Sequence, residues 1–137
     1  MQSTPNTPEN PATKTKYSQR NDGKIALVTG ANGGIGKEIA RQMLNSGMTV
    51  YVGSRDMQRG QAAVDELGGG ARLLVLDVTD ANSVAAAAER VAELDILVNN
   101  AGISDFGQPP TETEVDTFRR VYETNVFGVA AVTNAFL

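Results

Sequence analysis

From Lys24 onward, short apolar runs alternate with stretches whose apolar residues recur at helical spacing. The first run, KIALVTG at 24–30, is rich in strand formers and closed by glycine, and it predicts a strand. Residues 34–46 follow with Ile35, Ile39, Met43 and Leu44 on one face, and Asn45-Ser46-Gly47 supply a helix stop. The alternation then predicts a second strand at 48–54 (MTVYVGS), a second helix at 56–67 ended by glycines 68–70, and a third strand at 72–78 (RLLVLDV). An alanine-rich third helix at 80–93 places Val84, Ala88 and Val91 on one face, capped by Thr79 or Asp80. LDILVNN at 94–100 is the fourth strand. After a loop holding Pro109 and Pro110, helical spacing resumes at Thr111, passes through Val115, Phe118 and Tyr122, and runs to the end.

Strands that are short and apolar on both faces, each followed by a helix, predict an α/β fold: a parallel sheet covered by helices on both sides. Right-handed crossovers give strand order 3-2-1-4, a Rossmann-like doubly wound sheet whose topological switch lies between strands 1 and 4. Ligands of such sheets bind outside the carboxyl ends of the strands at that switch. TGANGGIG (29–36) ends strand 1 and NNAG (99–102) follows strand 4, so the two glycine-bearing turns are expected to meet there. Residues 1–22 break the pattern. They hold three of the five prolines with many Thr, Asn and Ser, and predict a disordered tail ahead of a domain at 23–137.

Composition narrows the functions such a fold could serve. Hydrophobic residues make up 41% and charged residues 20%, as in a soluble globular domain. The net charge of −4 offers no basic surface for nucleic acid. With no cysteine and no histidine, disulfides, thiolate chemistry, most zinc sites and His-based triads are excluded. The N-terminus lacks the apolar segment of a secretory signal, and no run approaches a membrane span, so the expected setting is the cytoplasm without a membrane partner.

The common dinucleotide fingerprint G-x-G-x-x-G is not met, because Asn32 stands where its second glycine belongs. The chain has T-G-x-x-x-G-x-G, from Thr29 through Gly30 and Gly34 to Gly36. Gly30 is expected to allow the tight strand exit, and Gly34 and Gly36 to let a pyrophosphate approach the backbone while the following helix packs on the sheet. That helix would direct its free N–H groups at the anion.

Taken together, TGANGGIG (29–36), LDVTD (76–80), DILVNNAG (95–102) and ETNVFG (123–128) resemble the short-chain dehydrogenase/reductase family, in its motif order and spacing. The resemblance implies that Gly30, Asn32, Gly34, Ile35 and Gly36 line the pyrophosphate and ribose. It implies that Asp77 accepts a bond from the adenine amino group with Val78 packed on the ring, a helix-capping role being the alternative for Asp77. Asn100, Ala101 and Gly102 would hold the ribose and support strand 4, with Asn99 and Asn100 also bracing loop against strand. The implied activity is reversible carbonyl reduction and alcohol oxidation on a nicotinamide cofactor.

The end of strand 2 bears on which cofactor. NAD-preferring sheets place an acid there for the ribose 2′-hydroxyl. This chain reads Gly53-Ser54-Arg55, and the acid Asp56 comes only after the arginine. Arg55, helped by the Ser54 hydroxyl, suits the 2′-phosphate of NADP, so NADP is favoured over NAD. Asp56 is then expected at the start of the second helix, where a carboxylate is favourable. Gly33 departs from the pattern of many NADP-dependent relatives, which carry a basic residue there.

Of the family's catalytic tyrosine–lysine–serine–asparagine tetrad, only the asparagine has a counterpart, Asn125, for which the resemblance implies support of a water-linked proton relay. The tyrosines are Tyr17, Tyr51 and Tyr122, none is followed by lysine four residues later, and the last lysine is Lys37. The sequence stops at Leu137 inside a helical pattern, so the expectation is an N-terminal portion of a reductase with strand 4 as an open edge. The alternative is a non-catalytic nucleotide-binding or dimerisation module, the terminal helix serving either as a homo-oligomer face or as part of its own core.

Overall fold

A computed structural model describes residues 21–104, 107, 109 and 111–137, so the expected tail lies almost wholly outside the described residues. Four strands, β1 (Ile25–Val28), β2 (Thr49–Ser54), β3 (Ala71–Val75) and β4 (Ile96–Val98), alternate with helices. The helices are α1 (Gly34–Asn45), α2 (Met57–Leu67), α3 (Ala81–Arg90), α4 (Val115–Tyr122) and α5 (Val129–Phe136). A π-helical turn, Glu123–Gly128, joins the last two. The sheet is parallel with the expected order β3-β2-β1-β4.

Alternation along β1 separates two cores. Ala26 and Val28 pack with Val50, Val52, Ala40 and Ala63 beneath α1 and α2. Leu27, one residue out of phase, packs on the opposite face with Leu74, Val84, Ala87 and Val132 beneath α3 and α5. Burying both faces is what a parallel sheet requires, and it holds the carboxyl ends of β1, β2 and β4 in one rigid row.

The strands are shorter than their apolar runs because side chains take over the ladder at their ends. At the start of β4, the Asp95 carboxylate accepts the Ile25 N–H at 2.8 Å. At its far end the Asn100 N–H goes to the Thr29 hydroxyl at 2.9 Å. Beyond β3, Leu76 still donates to the Ser54 carbonyl at 2.9 Å, but the next amide, of Asp77, donates to the Ser83 hydroxyl at 2.9 Å. Residues 76–78 therefore leave the sheet and turn toward the switch point.

The caps settle two open points. Asp80, not Thr79, caps α3, accepting from Asn82 and Ser83 at 2.9 and 3.3 Å. Asp56 caps α2, accepting from Arg59 at 3.0 Å. α3 ends at Arg90 because Val91 turns to extended backbone, and the last helical region starts at Val115, four residues later than Thr111. Val132 of α5 is fully buried against α3, so the terminal helix is part of the molecule's own core at that position.

Candidate functional site

At the carboxyl edge of the sheet a cavity of about 410 Å³ opens between the β1 exit, the end of β2, residues 76–79 and the segment after β4. Its walls include Gly30 and Asn32 from the glycine loop, Ser54 and Arg55 from β2, Asp77 and Val78 after β3, and Asn100, Ala101 and Gly102 after β4. Nine of the twelve residues expected to bind cofactor thus line one space. The other three, Gly34, Ile35 and Gly36, lie just beyond it in the first turn of α1.

Each loop glycine has its own reason. Gly30 has φ +61, and a Cβ there would lie 2.9 Å from Ala101 Cα, so the β1 exit touches the turn after β4 directly. Gly34 also has positive φ (+57) but faces open space. Its need is conformational. Gly36 is a packing glycine: a Cβ would meet the Asn100 amide nitrogen at 2.3 Å and the Gly30 carbonyl oxygen at 2.8 Å. Of the two parts expected of Gly36, this close seating of α1 on the Asn100 turn is the one the packing displays. No side chain caps α1, whose N-cap is the extended Gly33, leaving first-turn N–H groups open toward an anion. Ile35 is 76% exposed beside them.

Thr29 organises the junction, although the sequence reading gave it no role beyond opening the motif. It is 1% exposed, and its hydroxyl oxygen accepts from the N–H groups of Asn100 and Ala101, both at 2.9 Å. Asn100 in turn donates its side-chain amide to the carbonyls of Thr29 and Gly30, both at 3.1 Å. Its side chain braces the loop, and the residue lines the cavity. Asn99 braces in the other direction, donating to the Thr133 hydroxyl on α5 at 3.1 Å. A buried threonine between a strand and a glycine was the available signal for this hub.

On the β2 side, Ser54 is 2% exposed, and its hydroxyl donates to the Asp56 carbonyl at 2.7 Å while receiving the Asp56 N–H at 3.2 Å. The expected assistance of this hydroxyl to Arg55 is corrected accordingly: its one proton is engaged in shaping the turn. Gly60 presses on this turn from α2, where a Cβ would lie 2.8 Å from Ser54 Cβ. Arg55 stands at the cavity wall, near enough to Asp77 to favour its carboxylate.

Asp77 accepts from both the Thr79 hydroxyl (2.6 Å) and the Thr79 N–H (2.9 Å) through one oxygen. Those two bonds, side chain first, hold its carboxyl below the usual value of 3.8 against a desolvation that raises it, with Arg55 adding to the lowering. Asp77 is therefore an anion with one oxygen engaged by Thr79. Among the described residues its second oxygen has no partner, so it is free to accept. It does not cap α3; Asp80 does.

The π turn supplies the far wall through Thr124. Gly128 lets it approach Val78, where a Cβ would come within 2.8 Å of the valine Cγ2. Asn125 sits in this turn and spans back to the segment after β4. Its side-chain oxygen accepts the Ile103 N–H at 2.8 Å, and its amide donates to the Ile103 carbonyl at 2.7 Å. Both ends of the side chain are thus bonded to the backbone of Ile103.

A doubly wound sheet with glycine turns meeting at its switch point defines a nucleotide-binding α/β protein. The family model "short chain dehydrogenase" matches residues 24–137, and the chain belongs to that family. Short-chain dehydrogenase anuI of Penicillium roqueforti (strain FM164) is 38% identical over 122 residues, which span 82% of this chain and 48% of that protein. Among solved structures, the 3-ketoacyl-(acyl-carrier-protein) reductase from Brucella melitensis complexed with NADH superposes with TM-score 0.78 at 34% identity. The match covers 82% of this chain and 48% of that one. A metagenomic short-chain oxidoreductase in complex with NADP gives TM-score 0.78 at 32% identity, covering 85% and 56%. The chain spans about half the length of these relatives.

Proposed function

We propose that this chain builds the cofactor site of an NADP-dependent short-chain oxidoreductase acting on carbonyl and alcohol groups. The observation that carries the cofactor choice is the end of β2. Arg55 faces the cavity shared by Asp77 and the glycine loop, while the neighbouring acid, Asp56, has its carboxylate turned to the α2 N-terminus. That leaves a cation where an NAD site needs an acceptor for the 2′-hydroxyl. The solved relative holding NADP supports the reading, and the relative holding NADH supports a nicotinamide dinucleotide more generally.

In this reading the residues divide the work as follows. Gly30 and the uncapped start of α1 (Gly34, Ile35, Gly36) receive the pyrophosphate, with Asn32 at the same loop. Arg55 bonds the 2′-phosphate, presented by the turn that Ser54 ties. Asp77, acceptor-only, takes the adenine amino group, and Val78 packs on the ring. Ala101 and Gly102 line the ribose, with Asn100 holding them in place. The bound cofactor would supply hydride to or from a carbonyl carbon. Asn125 is a positioning residue, fixing Ile103 at the mouth of the site. No Tyr-x-x-x-Lys pair occurs in the 137 residues, so none of them is assigned the proton transfer. That feature favours a second reading for the chain by itself, in which it binds cofactor without turnover.

Titrating NADPH and NADH into wild type and Arg55→Ala tests the first reading. Loss of a charge-assisted contact weakens NADPH about tenfold and NADH little. Equal weakening of both would show that Arg55 does not read the 2′-phosphate. Tight NADPH binding with no carbonyl reduction by this chain supports the second reading, and turnover refutes it.

A further inference from the structure

We propose that Arg59 is a second cation for the 2′-phosphate, acting beside Arg55 from the first turn of α2; this rests on the NADP reading above. A phosphate monoester carries nearly two negative charges at neutral pH, and one guanidinium leaves it half compensated. The glycine loop contributes no cation: residues 29–36 hold neither lysine nor arginine, and Lys37, the next residue, is ion-paired with Glu66 on α2. The N-terminus of α2 does not serve either, because the Asp56 carboxylate already occupies it, accepting the Arg59 N–H at 3.0 Å.

Arg59 meets the requirement from its position. It lines the same cavity as Arg55, and these two are the cations among its described lining residues. Arg55 stands just before the N-cap of α2 and Arg59 in its first turn, and both line the cavity. The Arg59 side chain is 78% exposed, and among the described residues its one charged contact is Asp56, at 3.9 Å. An exposed pair at that distance holds a long side chain only weakly. The guanidinium is therefore free to leave the carboxylate for a doubly charged ligand, which it can bond through two N–H groups at once. Arg55 and Arg59 would then grip the phosphate from two sides, with Asp56 as the resting place of the second arginine.

The test uses two isomeric probes of equal charge, 2′,5′-ADP and 3′,5′-ADP, titrated calorimetrically into the full 137-residue chain. Wild type binds the 2′ isomer more tightly. Arg59→Ala weakens the 2′ isomer by about fivefold to tenfold, the scale of one exposed charge-assisted contact, and changes the 3′ isomer less than about twofold. Circular dichroism of the variant matches wild type, since the side chain is exposed. Equal weakening of both isomers, or none, overturns the role of Arg59. If Arg55→Ala abolishes the discrimination in that case, the NADP reading itself stands. A wild type that does not distinguish the isomers overturns both.

Discussion

One side-chain oxygen, that of Thr29, receives the N–H groups of two residues that lie about seventy positions along the chain. Thr29→Val keeps the shape but orphans both donors in a buried site, and roughly 2–4 kcal/mol of stability is expected to be lost. Thr29→Ser keeps the oxygen and most of that stability; urea unfolding of the two variants compares them. Asp77 gives a pH signature. Its folded-state value is lowered by Thr79 and then by Arg55, so the stabilisation is present above the unfolded value of 3.8 and is lost as pH falls through the lower folded value. Wild type therefore loses stability relative to Asp77→Asn as pH falls below the unfolded value of 3.8, as followed by urea midpoints at each pH. Parallel curves would show that Asp77 gains nothing from its threonine. At this scale the sequence told which residues meet, but not how they bond. Ser54 read as a ligand contact and Asn100 as both contact and brace; the side-chain bonds of each go to backbone, because a short polar side chain near a turn finds local partners first.

Among elements, α1 depends on where its glycines fall. Gly36→Ala places a methyl against the Asn100 amide and the Gly30 carbonyl, both backed by the sheet, and is expected to destabilise by about 1–3 kcal/mol and to weaken cofactor binding. Gly33→Ala, at an extended residue facing open space, is expected to be neutral or slightly stabilising. Thermal unfolding of the pair distinguishes packing from mere glycine content. If both variants lose stability alike, the close seating of α1 is not what Gly36 provides. Strand order and helix identity were legible because apolar period and turn residues agree along 24–100. The π turn at Glu123–Gly128 was not, because a single wide turn within a helical stretch has no residue signature of its own, and only Gly128 within the stretch hints at it.

For the whole molecule, β4 stands at the sheet edge with its outer side unpaired among the described residues, and α4 with the π turn keeps an apolar strip open. Val115, Phe118, Tyr122, Val126 and Phe127 remain 47–63% exposed. Contiguous apolar surface of this kind drives association. The 137-residue chain is expected to self-associate as its concentration rises, and the double change Phe118→Glu with Phe127→Glu to suppress this in sedimentation velocity. An unchanged profile would point to the β4 edge instead. The Thr29 hub carries one more consequence, in the order of events during synthesis. Its partners are separated by 71 and 72 positions, and the Asn100 bonds that fix the glycine loop close over the same span. A nascent chain emerging residue by residue has an unfixed glycine loop until Ala101 clears the ribosome, some seconds after Thr29. A cofactor held by the glycine loop would thus shelter this domain only after its fourth strand has docked.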